Sequence, residues 1–311
     1  RLGIGAKLGL SIGVGIILVA GIIAGDHYSN RIVAGLVAAA DNQQAIVLES
    51  LTIDTLLRRA QIAGRDLRRA QMTEQIAPHL SELEQVADQA RAKMAALRER
   101  TASNETRRNF NSVSDLTLSY IDVLRKIGAE QAQILSLFKQ LDDFEALWVR
   151  SFNQLLNAPE FSFMPNVSVV EPLLNESAAG FMDARTATWR YFVLNEQSQV
   201  VRITSGAEQA FQKIEYAKRE LKDAIVIALA DRLQAVVPGY ISVLKATTSA
   251  IDTQNSLQNN EANSLEGAAR EQLQEIIATA TELSDRATRD ALAGAALLIY
   301  PSTKWFAMLA A

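Results

Sequence analysis

A chain of 311 residues with a net charge of −4 and no cysteine can form neither disulfides nor thiolate metal centres. Its charges are dispersed, and no run of Lys and Arg makes the basic stripe that nucleic acid requires, which argues against nucleic acid as a partner. Six prolines and fifteen glycines, against abundant Ala, Leu, Gln, Glu and Arg, point to an all-α chain.

The first apolar run, Leu8 to Ala24, holds seventeen residues without a charge. At a helical rise of 1.5 Å it covers a hydrocarbon core of roughly 30 Å with slight help from its flanks. Residues 8–25 are therefore expected to form a transmembrane helix. A cleaved signal peptide is the competing reading, but Gly21-Ile22-Ile23-Ala24-Gly25 is a poor cleavage site, and the helical pattern continues outward. Arg1 and Lys7 before the run and Asp26 after it orient the amino terminus to the cytoplasm. A second span is expected over 291–311, less cleanly, because Pro301 and Lys304 interrupt it. The chain starts with Arg and stops inside this run, so it reads as a fragment of something longer.

Residues 26–290 lie between the two runs. Setting aside Arg1, Lys7 and Lys304 from the 31 basic residues leaves 28 against 35 acidic ones, a net of about −7. Breakers and periodicity divide this stretch into six helices. The first leaves the membrane and reaches about Met72, and Pro78 suits the first turn of the second, which ends near Arg100. The third runs to about Leu156 along a seam of Leu116, Tyr120, Val123, Ile127, Gln131, Ile134, Phe138, Leu141, Glu145, Trp148, Phe152 and Leu155. Asn157 to Pro172, with three prolines, is expected to be one long loop. A fourth helix covers Leu173 to about Asn195 and a fifth Val200 to Val237. Pro238-Gly239 is expected to open the sixth, which runs into the second span.

The third and sixth helices, about fifty residues each, are about 75 Å long, and the second and fourth about half that. Two long and four shorter helices fit two stacked four-helix bundles, although the first and fifth helices are too long for the scheme; a membrane-near extension accounts for the first and nothing for the fifth. An internal repeat also favours two modules: Tyr120-Ile121-Asp122-Val123-Leu124-Arg125 returns 120 residues later as Tyr240-Ile241-Ser242-Val243-Leu244-Lys245. No nucleophile-histidine arrangement, HExxH or glycine-rich phosphate loop occurs, so neither an enzyme nor a cofactor is expected. His27 and His79 lack ligand spacing, and no metal site is expected. The GxxxG spacing of Gly9/Gly13 and Gly21/Gly25 permits close helix contact and hence a dimer.

The opening RLGIGAKLGLSIGVGIILVAG, the helical stretch of about 265 residues and the second apolar run resemble a bacterial methyl-accepting chemotaxis receptor. With the Arg-Tyr-Phe of Arg190 to Phe192 and the two Tyr-x-x-x-Leu-Arg/Lys patterns, residues 26–290 resemble the helical bimodular sensor domain. The resemblance implies a homodimeric receptor in the inner membrane with its main domain in the periplasm. It would bind small organic acids there and signal to cytoplasmic proteins through a C-terminal part that this chain lacks. A sensor histidine kinase carrying the same input domain is the nearest alternative, and a non-sensing, membrane-anchored protein-interaction module is another.

Arg185 is the sharpest candidate. It falls among Leu174, Ala178, Phe181, Trp189 and Phe192 on the fourth helix's apolar stripe. A guanidinium there needs an anion: either a ligand carboxylate held by two hydrogen bonds, or Glu145 in the third helix's seam. Arg190 follows in the same arginine-containing stretch. On the first helix, Arg58, Arg59, Arg65, Arg68 and Arg69 outnumber Asp54 and Asp66, and the wheel sets Arg68 nearest the apolar stripe. The resemblance carries ligand-binding arginines onto Arg58 and Arg65; the alternative is a solvated face or bridges to neighbouring helices. Finally, Thr247 and Gln254 stand where core residues belong in the polar stretch TTSAIDTQNSLQNNEANS, which marks either a wet pocket or a loosely packed junction.

Overall fold

The computed structural model describes the backbone of residues 4–101, 103–194 and 196–309, and the side-chain surroundings of 30–101, 103–194 and 196–293. No strand occurs among the described residues. Among the described residues eight α-helices follow in order: α1 (Ile4–Arg69), α2 (Ile76–Arg100), α3 (Asn104–Leu156), the single turn α4 (Pro159–Ser162), α5 (Val167–Leu194), α6 (Gln199–Glu220), α7 (Ala224–Ser256) and α8 (Asn263–Leu309). The side chains of the expected span 8–25, and those of 291–311 beyond Ala293, lie outside the described residues. Within them, the helical run Ala224–Ala293 is long and apolar enough to cross a membrane, with 39% of its most apolar window buried. Its Val226, Ala230, Leu233, Val237, Tyr240 and Leu244 sit in a protein core.

Contacts divide the chain into two compact units, the first comprising Arg1–Ala63, Ser81–Leu124 and Glu261–Ala311, the second Gly64–Leu80 and Arg125–Asn260. The first unit is built from aliphatic stripes at helical spacing. Ile53, Leu56, Leu57, Ala60 and Ala63 of α1, Leu83, Val86, Ala87, Ala90, Met94 and Leu97 of α2, and Ala269, Leu273, Ile276 and Ala280 of α8 are all buried. Each large side chain so removed from water contributes about 1.5–3 kcal/mol. Polar ties lie at the edges: Arg59 grips Glu82 Oε1 through Nη2 and Nε at 2.6 and 3.0 Å, and Lys93 meets Glu49 at 2.9 Å. Tyr120, buried on α3, donates to Glu266 of α8 at 3.4 Å.

The second unit packs α3, α5, α6 and α7 around an aromatic centre. Trp148 stacks on Phe181 with ring centroids 4.1 Å apart and planes at 7°, and Phe181 meets Tyr240 edge-on at 5.3 Å. Along α3 the expected seam is buried at Ile127, Gln131, Ile134, Leu141, Trp148 and Leu155. Helices α5 and α6 cross backbone against backbone. A Cβ on Gly206 would lie 2.6 Å from the Gly180 carbonyl oxygen, and one on Gly180 would lie 2.8 Å from that of Gly206. Ala184, Ala207 and Ala210 continue the close approach with small side chains.

Two expected boundaries are corrected. The stretch Asn157 to Pro172 is not one loop: α4 starts with Pro159 at its first turn, α5 begins at Val167, and Pro172 lies within it. Pro172 sits early enough in α5 that the amide it lacks forfeits only one bond near the helix start. The fifth helix ends at Glu220, not Val237, and Pro238-Gly239 lies inside α7. The break falls at Leu221-Lys222-Asp223, where Asp223 caps α7 by accepting from the amides of Ile225 and Val226 at 2.8 and 3.1 Å. Gly239 serves packing, since a Cβ there would lie 2.5 Å from the Phe144 ring. The shorter α6 removes the length that the six-helix scheme could not place, and the last long helical run starts at Ala224.

Candidate functional site

Arg185 projects from α5 towards α3, where its Nε lies 2.5 Å from Glu145 Oε2. The Nε proton is not aligned on that oxygen, so the contact is an ion pair without a directed hydrogen bond. Neither side chain is deeply buried, at 34% and 22% exposure. With Asp142, Val149 and Arg150 the pair lines an open depression of about 550 Å³. Of the two anions considered for Arg185, the internal one is in place.

The α1 arginines divide between the units. In the first, Arg58 is exposed and bridges Asp54 one turn back at 2.9 Å, while Arg270 reaches Glu266 at 3.1 Å and Asp54 at 3.9 Å. In the second, Arg65 is exposed and 3.4 Å from Asp66, and Arg68 and Arg69 are exposed in the last turn, where cations complement the helix dipole. Arg68, expected beside the apolar stripe, therefore faces water; Leu67, its neighbour, takes the buried position. Arg190 is also exposed, 3.5 Å from Glu196 across the α5–α6 turn.

The polar stretch of α7 is neither loose nor wet at the two residues singled out. Thr247 is fully buried and donates to the Val243 carbonyl at 2.8 Å. Gln254 Nε2 donates to Gln131 Oε1 at 2.9 Å, and Gln131 Nε2 donates to the Ala70 carbonyl at 2.8 Å, just beyond the end of α1. These two glutamines form a satisfied chain across the second unit, which is the condition for burying amides at little cost. The π-helical segment Leu257–Ala262 follows directly, so the stretch departs from α geometry where its composition turns to Asn and Gln.

The other face of the same stretch opens onto a groove of about 630 Å³ in the second unit. Ile203 and Val200 of α6, Tyr191 of α5, and Ile241 and Leu244 of α7 supply its apolar wall, and Lys245 and Asp252 stand along its α7 side. None of the seven candidates Arg58, Arg65, Arg68, Arg185, Arg190, Thr247 and Gln254 lines it. The signal was present as Ile241, Lys245, Thr248, Asp252 and Ser256, spaced three and four apart on one helix face, but it needs the neighbouring helices to become a concavity. Lys245 and Asp252 make no hydrogen bond or ion pair with the described residues. Among the described residues, no three His, Asp or Glu side chains gather as a metal site would require. No protein-family model matches this chain, and no curated protein matches its sequence.

Proposed function

We propose that this chain is the ligand-sensing region of a transmembrane receptor of the chemoreceptor kind. Two four-helix bundles, stacked over 26–290 between spans at 8–25 and 291–311, face the periplasm and bind small organic carboxylates. Ligand binding favours one packing of the long helices, and that bias passes to cytoplasmic signalling proteins through a C-terminal part. The observation that carries this reading is the three-helix groove with Lys245, unpaired among the described residues, on its side. The division into two units, with Tyr120–Leu124 of the first copy of the repeat in one and Tyr240–Lys245 of the second copy in the other, supports the bimodular part. For the homodimer, support comes from α1, where the exposed Val37, Leu48, Leu51 and Ile62 fall within about 60° on the helical wheel.

The test is a thermal-shift screen of the full chain with carboxylates of two to six carbons. A ligand at a hundred times its Kd adds about 2.7 kcal/mol to the stability of the unit that holds it. The expected result is stabilisation by one or more acids that Lys245→Ala abolishes. Stabilisation lost instead in Arg185→Ala would move the site to the α3–α5 depression. No shift with any acid would sink the sensor reading and favour a protein-interaction module. A specific feature favours that second reading: Phe163 is 87% exposed beside a surface groove of about 890 Å³ lined by Pro159, Met164 and Lys222.

A further inference from the structure

The groove between α5, α6 and α7 is electrically two-ended. Lys245 and Asp252 stand seven residues apart on the same face of α7, a separation of about 10 Å along the axis. Helical side chains lean towards the amino terminus, which carries the long Lys245 ammonium away from Asp252 and keeps the two from neutralising each other. Between and beside them lie the hydroxyls of Thr204, Thr248 and Thr253. Their protons are already committed, to the carbonyls of Val200 at 2.9 Å, Leu244 at 3.1 Å and Ser249 at 2.9 Å. A hydroxyl that has donated its proton can only accept. The Asp252 end is therefore rich in acceptors, while the Lys245 end supplies a donor and positive charge. The apolar wall of Val200, Ile203 and Leu244 gives no polar partner to the middle of a guest.

A simple carboxylate satisfies only the Lys245 end. It would leave Asp252 and the threonine oxygens facing methylene groups, and it would be repelled by the aspartate. A simple amine has the reverse fault. We propose that the groove takes a linear ω-amino carboxylate, its carboxylate on Lys245 and its ammonium among Asp252 and the threonine oxygens. This rests on the reading of the groove as the ligand site and names the class of acid it prefers. A chain of about five to eight carbons spans the interval once a hydrogen bond is allowed at each end.

The experiment is calorimetric titration of the full chain, in detergent, with 6-aminohexanoate, hexanoate and hexylamine. Wild type is expected to bind 6-aminohexanoate about tenfold or more tightly than either one-ended analogue. Asp252→Asn should make 6-aminohexanoate and hexanoate equal, and Lys245→Met should make 6-aminohexanoate and hexylamine equal. Both residues are exposed, so both variants should keep the wild-type circular dichroism and melting profile, which is measured alongside. Hexanoate binding as tightly as 6-aminohexanoate, with Asp252→Asn silent, would overturn the two-ended ligand and leave a carboxylate sensor standing. Absence of binding by all three compounds, in heat and in thermal shift alike, would overturn the groove as the ligand site and leave the sensor reading to the screen of two- to six-carbon acids.

Discussion

The two units share a Tyr-Ile-x-Val-Leu motif, at Tyr120–Leu124 and Tyr240–Leu244, and fill their cores in different ways. Tyr120 and Tyr240 are each almost fully buried, yet the first meets the Glu266 carboxylate and the second lies among Phe181, Thr188 and the aromatic stack. The first unit is dominated by Ala, Leu, Ile and Val at close helical spacing, a composition that packs evenly. The second combines large rings with glycines that let α5 and α6 touch, and such unequal sizes fit a curved surface better than a flat one. The groove lies on that unit.

The largest expected effect removes the ring at the centre of the contrast. Phe181→Ala deletes the partner of both Trp148 and Tyr240 and should destabilise the second unit by about 3–5 kcal/mol. Hydrogen exchange should show lost protection in α5, α6 and α7, with α2 unchanged; equal loss in α2 would mean the two cores do not respond separately. A pair of glycine substitutions sharpens the comparison by sign. Gly206→Ala drives a methyl into the Gly180 carbonyl and the Ala184 amide, so about 1–3 kcal/mol of stability should be lost. Gly267, on α8 in the first unit, has nothing within 4 Å of a new Cβ. Gly267→Ala should therefore stabilise by about 0.5–1 kcal/mol through helix propensity alone, measured as the denaturant midpoint.

The helical class, the α3 seam and the Tyr repeat were legible because they depend on periodicity, which a sequence displays directly. Pro238-Gly239 misled because the same two residues end a helix or admit a neighbouring ring, and only Phe144 in place distinguishes the cases. The true break at Asp223 was visible as a capping residue before an apolar run, but its signal is weaker than that of a proline. For the site, sequence ranks arginines by their scarcity on apolar faces. It cannot show that Glu145 already occupies Arg185, nor that α6 supplies the wall opposite Lys245. Partners brought together from distant positions are set by packing.

The smallest expected effect concerns alkaline pH and again separates the two tyrosines by their surroundings. Burial raises the Tyr240 hydroxyl above its ordinary range, with smaller opposing contributions from the Thr188 hydrogen bond and the Arg185 charge, and smaller supporting ones from Glu145 and Asp142. The folded chain thus holds this proton more tightly than the unfolded chain, whose tyrosines titrate near 10. Stability from this group is complete below that value and is lost as pH rises from there through the raised folded value. Lys218, raised chiefly by its hydrogen bond to Asp231, acts in the same direction and sets a background that survives the substitution. Tyr240→Phe should leave the neutral-pH midpoint nearly unchanged and make the fall in stability between pH 9 and 11 shallower. An unchanged alkaline slope in Tyr240→Phe would mean that water reaches the ring edge and that the aromatic core is open where its packing makes it closed.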